Sequence, residues 1–293
     1  MSRPMPPSCA TPEPGIHEHQ AEVEGHRMRF LHGGSGPPLL LVHGLLGYSF
    51  SWRFNLPVLA RRFTVFAPDL LGAGFSERVP GMDCSMAAIA GRLLQFLQGQ
   101  GIESFDLLGT SHGGAIAMML AVMAAESNPS AVRRLILVDP AHPWSRPRPV
   151  LIKMLGQRAG AALFRALLPI IRLTHEHYLR RMYGDPRRIS PGTAEGYKAP
   201  LANPKAYEYP LCIVRCWRDD MRKLAAALPK IAGIPTLLMW GSRDRVIAPA
   251  SAAQLQQQFR NCRLLLLEGV GHLPYEETPE EFNRAVLNFL EAD

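Results

Sequence analysis

Hydrophobic residues follow two different patterns along the chain. Near the start, apolar and polar residues alternate from Ile16 to Val23 and from Arg27 to Leu31, with Gly25 between the two stretches. This alternation predicts two short antiparallel strands joined by a turn. Farther on, apolar residues form nearly continuous runs, a pattern typical of strands that are buried on both faces. These runs are Leu39–Val42, Thr64–Ala67, Phe105–Leu108, Leu135–Val138, Thr236–Trp240 and Leu264–Leu267.

Segments with apolar residues at helical spacing lie between and after the continuous runs. They are Met86–Gln98, Gly114–Ala125, Ala250–Phe259 and Glu280–Leu290. Repeated alternation of strand and helix predicts an α/β fold, with a mostly parallel central sheet and helices on both faces. In such a sheet, ligands bind where the parallel strands end at their carboxyl termini.

One long segment interrupts the alternation. Residues 143–229 contain no strand-like run and combine many Leu, Met, Arg and Tyr residues with scattered prolines. We therefore predict a helical cap over 143–229, inserted into a core formed by residues 16–142 and 230–293. The first residues, 1–15, contain five prolines and no apolar stretch, and are predicted to form a flexible arm.

Charge is distributed unevenly. The chain has a formal net charge of +7, and between Pro140 and Ala232 there are 17 Lys and Arg against 6 Asp and Glu, so the remaining residues sum to −4. Three explanations of the basic cap stay open: a solvated charged face, attraction of an anionic substrate or an acidic carrier protein, or docking on an anionic membrane surface. Nucleic-acid binding is not expected, because no recognition motif accompanies the charge.

The cysteines and the hydropathy pattern bear on the compartment. Neither a secretory signal nor an uncharged apolar run long enough to cross a membrane is found. Cys212 and Cys216 lie four residues apart, but nothing nearby offers two further ligands for a metal. We therefore expect reduced thiols, a cytoplasmic location, and no metal or cofactor.

The strongest chemical motif follows the run Phe105–Leu108. It reads Gly-Thr-Ser-His-Gly-Gly over residues 109–114 and leads directly into a predicted helix. A strand-to-helix turn this tight holds its central residue in a strained conformation, and the small neighbours give the room that it needs. The motif predicts that Ser111 is a nucleophile, held next to amides that favour developing negative charge.

A serine nucleophile needs a base and an acid that orients the base. His272 follows the run Leu264–Leu267 and should reach the same sheet edge. Two aspartates are candidates for the acid, because Asp244 and Asp139 both follow predicted strands. We prefer Asp244, which gives the chain order Ser, Asp, His; Asp139 then has a structural or substrate-contact role.

Acyl transfer also requires hydrogen-bond donors for the tetrahedral oxyanion. The backbone amide of His112, the residue after the nucleophile, is one candidate. The second is the amide of Leu45, in the loop His43-Gly44-Leu45-Leu46-Gly47 that follows another predicted strand. These roles use only the backbone.

Together these motifs resemble those of the α/β-hydrolase superfamily, from about Ile16 to Leu290. His43-Gly44 is similar to its oxyanion loop, and the stretch from Asp69 to Ser76 is similar to its recurrent D-x-x-G-x-G-x-S motif. The segments around Ser111, Asp244 and His272 look like its elbow, acid and base, and the predicted cap lies where the family inserts one.

The resemblance implies a carboxylesterase-like serine hydrolase without a cofactor, acting on a small ester or thioester with an apolar acyl or aromatic group. Dehalogenases and epoxide hydrolases of the superfamily use aspartate where this chain has Ser111. Its carbon–carbon bond hydrolases usually carry tryptophan after the histidine, where this chain has Leu273. A carbon–carbon bond hydrolase and a non-catalytic ligand receptor remain the alternatives.

Overall fold

A computed structural model describes residues 15–145, 154–155, 157–168 and 174–292. Its centre is an eight-stranded sheet with the spatial order β1-β2-β4-β3-β5-β6-β7-β8. The strands are β1 (Ile16–Val23), β2 (His26–Gly33), β3 (Pro38–Val42), β4 (Thr64–Pro68), β5 (Phe105–Thr110), β6 (Val132–Val138), β7 (Thr236–Gly241) and β8 (Cys262–Leu267). The first two strands pair antiparallel, β2 pairs antiparallel with β4, and the remaining pairs are parallel.

Helices cover both faces of the sheet. Those of the core are α1 (Leu56–Leu59), α2 (Met86–Gly99), α3 (His112–Ser127), α8 (Ala252–Gln256), α9 (Pro274–Glu277) and α10 (Pro279–Leu290). Between β6 and β7 the chain forms α4 (Arg158–Ala166), α5 (His175–Met182), α6 (Thr193–Lys198) and α7 (Glu208–Ala227). Short 3-10 helices occupy Ser49–Trp52, Pro186–Arg188, Ala199–Ala202, Pro204–Tyr207, Leu228–Ile231 and Pro249–Ser251.

Successive residues of the central strands point into two separate cores. In β3, Leu40 and Val42 pack with α2 and α3, whereas Leu39 and Leu41 pack with α1 and α10. All four of these side chains are fully buried. Burial on both faces explains why the parallel strands are almost continuously apolar in sequence.

The predicted fold class and every predicted strand are confirmed. The helix expected over Ala250–Phe259 is shorter: a 3-10 turn leads into α8, which ends at Gln256. The elbow helix begins at His112, two residues earlier than expected. The predicted arm, residues 1–15, lies almost wholly outside the described residues, as does part of the predicted cap.

Candidate active site

Ser111 lies at the turn between β5 and α3, at the carboxyl edge of the sheet. Its φ of 53° is in the left-handed region, which is rare for a side chain of this type. The turn fits because Gly113 packs against the end of β3: a Cβ on Gly113 would lie 2.4 Å from the carbonyl oxygen of Val42 and 2.3 Å from that of His43. The Ser111 amide donates to Val138 O at 2.9 Å, and this bond fixes the turn to the neighbouring strand.

His272 and Asp244 lie beside Ser111. The imidazole Nε2 of His272 is 3.0 Å from Ser111 Oγ, and its Nδ1 is 2.8 Å from Asp244 Oδ2. Both the imidazole and the carboxylate are almost completely buried. A neutral imidazole with its proton on Nδ1 satisfies both contacts, because it donates to the carboxylate and accepts from the hydroxyl.

Backbone amides hold Asp244 in place. Its Oδ1 accepts hydrogen bonds from Val246 N at 2.6 Å and from Ile247 N at 3.1 Å. Oδ2 is thereby left for His272. The carboxylate thus has a fixed orientation toward the imidazole, as an orienting acid requires.

Asp139, the other candidate for the acid, is also buried close by. Its Oδ1 accepts a hydrogen bond from Gly241 N at 3.0 Å. Ligand atoms of Asp139, Asp244 and His272 lie within 4.8 Å of one another, close enough to hold a metal ion. However, Asp244 and His272 already use facing atoms for their mutual hydrogen bond. The short distance between Asp244 and His272 is therefore explained by their hydrogen bond, and Asp139 is held beside them by Gly241 N.

The loop after β3 approaches Ser111 closely. A Cβ on Gly44 would lie 3.0 Å from Ser111 Cβ and 3.6 Å from Ser111 Oγ. The Gly44 carbonyl oxygen accepts from Gly47 N at 3.1 Å and lies 2.9 Å from His43 Nδ1. Because C=O and N–H point in opposite directions across a trans peptide, the Leu45 amide points away from these two partners.

The amides of Leu45 and His112, predicted as oxyanion donors, form no hydrogen bond with any other residue in the described part of the chain. Both amides therefore remain available to a ligand. The ring of His112 points elsewhere and stacks on Trp217, with centroids 5.8 Å apart. Burial, together with the neighbouring His43, lowers the pKa of His112 to about 4, so this imidazole is neutral.

Two buried glutamates in α9 were not predicted from the sequence. Glu277 accepts hydrogen bonds from the amides of Gly271, Gly184 and Asp185 at 2.8 to 2.9 Å. Glu276 is bonded to Arg53, Tyr183 and Tyr197. The available signal was their position: they follow the candidate base by four and five residues, after the apolar stretch Leu273-Pro274-Tyr275.

A cavity of about 490 Å³ opens above Ser111 and His272. Apolar side chains from the core loops and from the segment between β6 and β7 form most of its wall, among them Leu45, Leu163, Phe164, Leu179 and Leu273. Among the described residues that line it there is no Lys or Arg. A volume and lining of this kind suit a small, largely apolar ligand.

Many cations of the inserted segment are paired. Arg165 contacts Glu208, Arg187 contacts Asp185, and Arg188 contacts Glu277. Among the described residues, only Arg188 and Lys230 pair with acids outside this segment, Glu277 and Glu126, so ion pairs offset little of the basic surplus. None of the helices in the described ranges is long and apolar enough to cross a bilayer.

Several proteins are similar to this chain over most of its length. An uncharacterised protein of Mycobacterium bovis is 31% identical, covering 92% of this chain and 80% of that protein. Lipase 1 of Psychrobacter immobilis is 29% identical, covering 88% and 79%. A 2-hydroxymuconate semialdehyde hydrolase of a Pseudomonas strain is 29% identical, covering 92% of each.

Solved structures agree on the architecture. A membrane phospholipase A has a TM-score of 0.75 and 27% identity, covering 94% of this chain and 86% of the other. The haloalkane dehalogenase DbeA of Bradyrhizobium elkani has a TM-score of 0.81 with 24% identity, covering 94% and 97%, a likeness of fold alone. The family model described as alpha/beta hydrolase fold matches residues 37–279. This chain belongs to the alpha/beta hydrolase fold family.

Proposed function

We propose that this protein is a serine hydrolase that cleaves a carboxylic ester or thioester through an acyl-enzyme on Ser111. One observation carries the proposal: the hydrogen-bonded chain from Asp244 through His272 to Ser111 Oγ, at 2.8 and 3.0 Å. A hydroxyl is a weak nucleophile unless a base removes its proton during attack. His272 has the position and the free lone pair for that task.

The reaction has two halves. Ser111 Oγ attacks the carbonyl carbon while His272 Nε2 takes the serine proton, and the same nitrogen then gives the proton to the leaving alcohol or thiol. In the second half, His272 activates a water that releases the acid from the acyl-enzyme. Asp244 stabilises the imidazolium in both halves, and the free amides of Leu45 and His112 stabilise the oxyanion.

The cavity favours an apolar acyl or aromatic group. Its wall includes leucine and tyrosine side chains, with Leu45, Leu179 and Tyr275 among them. Removing an apolar group from water stabilises the complex by roughly 25 cal/mol per Å² of buried surface. We therefore expect kcat/KM to rise with acyl chain length until the cavity is full.

A carbon–carbon bond hydrolase is the second candidate, supported by the similarity to the 2-hydroxymuconate semialdehyde hydrolase. That substrate carries a carboxylate, and no described residue lining the cavity is a Lys or Arg that would pair with it. Ester cleavage is therefore preferred. Turnover of 2-hydroxymuconate semialdehyde faster than of every simple ester would reverse the preference.

Covalent labelling tests the nucleophile. A fluorophosphonate probe should label the folded wild-type protein and the Ser130→Ala variant, whose substituted serine is exposed, but not Ser111→Ala. Ser111→Ala and His272→Ala should each lower kcat for p-nitrophenyl butyrate by about 10³-fold or more. Absence of labelling in folded wild-type protein would favour a ligand receptor that keeps the fold without turnover.

A further inference from the structure

Large apolar side chains are exposed around the opening of the cavity. Five residues of the cavity wall have exposed fractions of 40% or more: Leu46, Met154, Leu163, Leu167 and Tyr178. Elsewhere in the described part of the chain, only Phe75, Val246 and Leu266 are comparable. Single exposed hydrophobic residues are ordinary, but a group of them around one opening marks an interaction surface. We call these five residues the rim.

The two helices at the opening show how the rim arises. Gly160 and Phe164 in α4, and Leu167 directly after it, line the cavity. Leu163 lies at the edge of this apolar stripe with 55% of its surface exposed. In α5, Leu179 and Met182 line the cavity, and Tyr178 stands at the edge with 59% exposed. The apolar surface therefore continues from the cavity wall out to solvent.

Among the residues that the structure describes, positive charge lies beside the rim and not in the cavity wall. Arg181 is exposed and follows Tyr178 by three residues, so the two are neighbours on the surface of α5. Lys198 lies close enough to His175, a residue of the cavity wall, to lower the pKa of that imidazole, although burial is the larger cause. Neither cation forms a salt bridge with a described residue.

The position of the cations outside the cavity distinguishes a small anionic substrate from a flat anionic surface. A small anionic substrate would need a cation in the cavity wall, whereas a flat anionic surface needs cations outside an apolar patch. We propose that the rim docks on an anionic phospholipid bilayer, and that the site takes acyl esters dissolved in that bilayer; the second part rests on the proposed function. The acyl chain would pass from the bilayer into the cavity without crossing water.

Vesicle binding tests the docking part without any turnover. The full chain should sediment with phosphatidylcholine vesicles containing 30% phosphatidylglycerol, and Ser111→Ala should bind equally well. Leu163→Ser should weaken binding about tenfold, since it removes an apolar side chain that would enter the interface. The matched control is Leu266→Ser, because Leu266 is 51% exposed but lies in β8, outside the cavity wall.

Charge reversal tests the choice of an anionic surface. The double variant Arg181→Glu with Lys198→Glu should lose at least tenfold in binding to the anionic vesicles, because each basic residue near such a surface contributes on the order of a fivefold preference. Its kcat/KM for soluble p-nitrophenyl butyrate should stay at the wild-type value. Its rate on p-nitrophenyl laurate held in the same vesicles should fall with the binding.

Several outcomes would overturn the inference. One is no binding to any vesicle; another is equal weakening by Leu163→Ser and Leu266→Ser. Binding of an acidic acyl-carrier protein that the charge reversal abolishes, with no vesicle binding, would assign the cations to a protein partner instead. Vesicle binding that follows the expected pattern without turnover of any ester would leave the docking surface standing and refute the proposed esterase activity.

Discussion

Two carboxyl groups lie within reach of one imidazole at the candidate site. Asp244 contacts His272 directly, and Asp139 lies close to both, with its Oδ1 bonded to Gly241 N. Burial, and then the charge of Asp244, raises the pKa of Asp139 well above its usual range. The neutral form of Asp139 is therefore favoured, as expected when two acids share a buried site.

This difference predicts unequal effects of the two amide substitutions. Asp244→Asn should lower kcat for p-nitrophenyl butyrate by about 10³-fold or more, because the imidazole loses its charged partner. Asp139→Asn should change kcat less than about threefold, since an amide replaces a carboxyl group whose neutral form burial favours.

The double variant completes the test. In Asp244→Asn the neighbouring charge is gone, so the pKa of Asp139 falls, although burial still raises it, and the ionised form of Asp139 becomes more accessible near His272. Adding Asp139→Asn should then cost about a further tenfold in kcat. If Asp139→Asn alone were as damaging as Asp244→Asn, Asp139 would be the working acid.

At the residue scale, the sequence predicted which side chains lie at the candidate site better than it predicted the hydrogen bonds that hold them there. The glycine-rich turn implied a strained Ser111, and its φ of 53° agrees. Strand ends placed Asp244, Asp139 and His272 at one edge, but the choice of partner depends on side-chain geometry that no spacing reveals. The hydrogen bond between His43 Nδ1 and the Gly44 carbonyl oxygen could not be predicted either, because it depends on the conformation of the loop.

At the element scale, α9 connects the candidate base to the inserted segment. Glu277 accepts hydrogen bonds from the amides of Gly271, Gly184 and Asp185. In addition, the His272 amide donates to Met182 O at 2.6 Å. The loop that carries the imidazole is therefore hydrogen-bonded to the end of α5 and, through Glu277, to the residues that follow α5. These contacts could not be predicted from the sequence, because they join segments about 90 residues apart.

Removing the charge of Glu277 should loosen the imidazole. In Glu277→Gln one acceptor oxygen becomes an amide NH₂ that faces backbone donors, at a cost of about 2 kcal/mol. We expect Tm to fall by about 5 °C and kcat for p-nitrophenyl butyrate to fall about tenfold, while KM changes little.

Glu281→Gln is the matched control, since Glu281 is exposed in the next helix. It should match wild type in both measurements. A loss of Tm in Glu277→Gln without any change in kcat would restrict Glu277 to a role in stability.

For the whole molecule, the sequence predicted the fold class and the strands that form the sheet, but not the spatial order of those strands. Continuous apolar runs predicted strands buried on both faces, and all of them form in the structure. The exchange of β3 and β4 in the spatial order could not be predicted, because both strands are equally apolar. Within the inserted segment, the helical spacing of apolar residues was weaker. The sequence therefore predicted that the segment is helical, but not the bounds of its helices.

Two buried histidines link the stability of the whole fold to pH. Burial lowers the pKa of His112 and of His142 to about 4, from 6.5 for an unperturbed imidazole, and His43 adds to the effect at His112. Folding therefore favours the neutral form of each ring. This stabilisation is complete above about pH 6.5 and is lost as the pH falls toward 4, by about 3 kcal/mol for each ring.

Thermal unfolding measured between pH 7 and pH 4.5 tests this linkage. The Tm of the wild type should fall across the range, and His142→Gln should flatten the curve because an uncharged amide, which can still reach Ser251 Oγ, replaces the ring. His177→Gln is the control, since His177 is exposed in α5, and its curve should parallel that of the wild type. Parallel curves for His142→Gln and the wild type would mean that acid destabilisation comes from other groups, and that burial of this ring carries no pH-dependent stability.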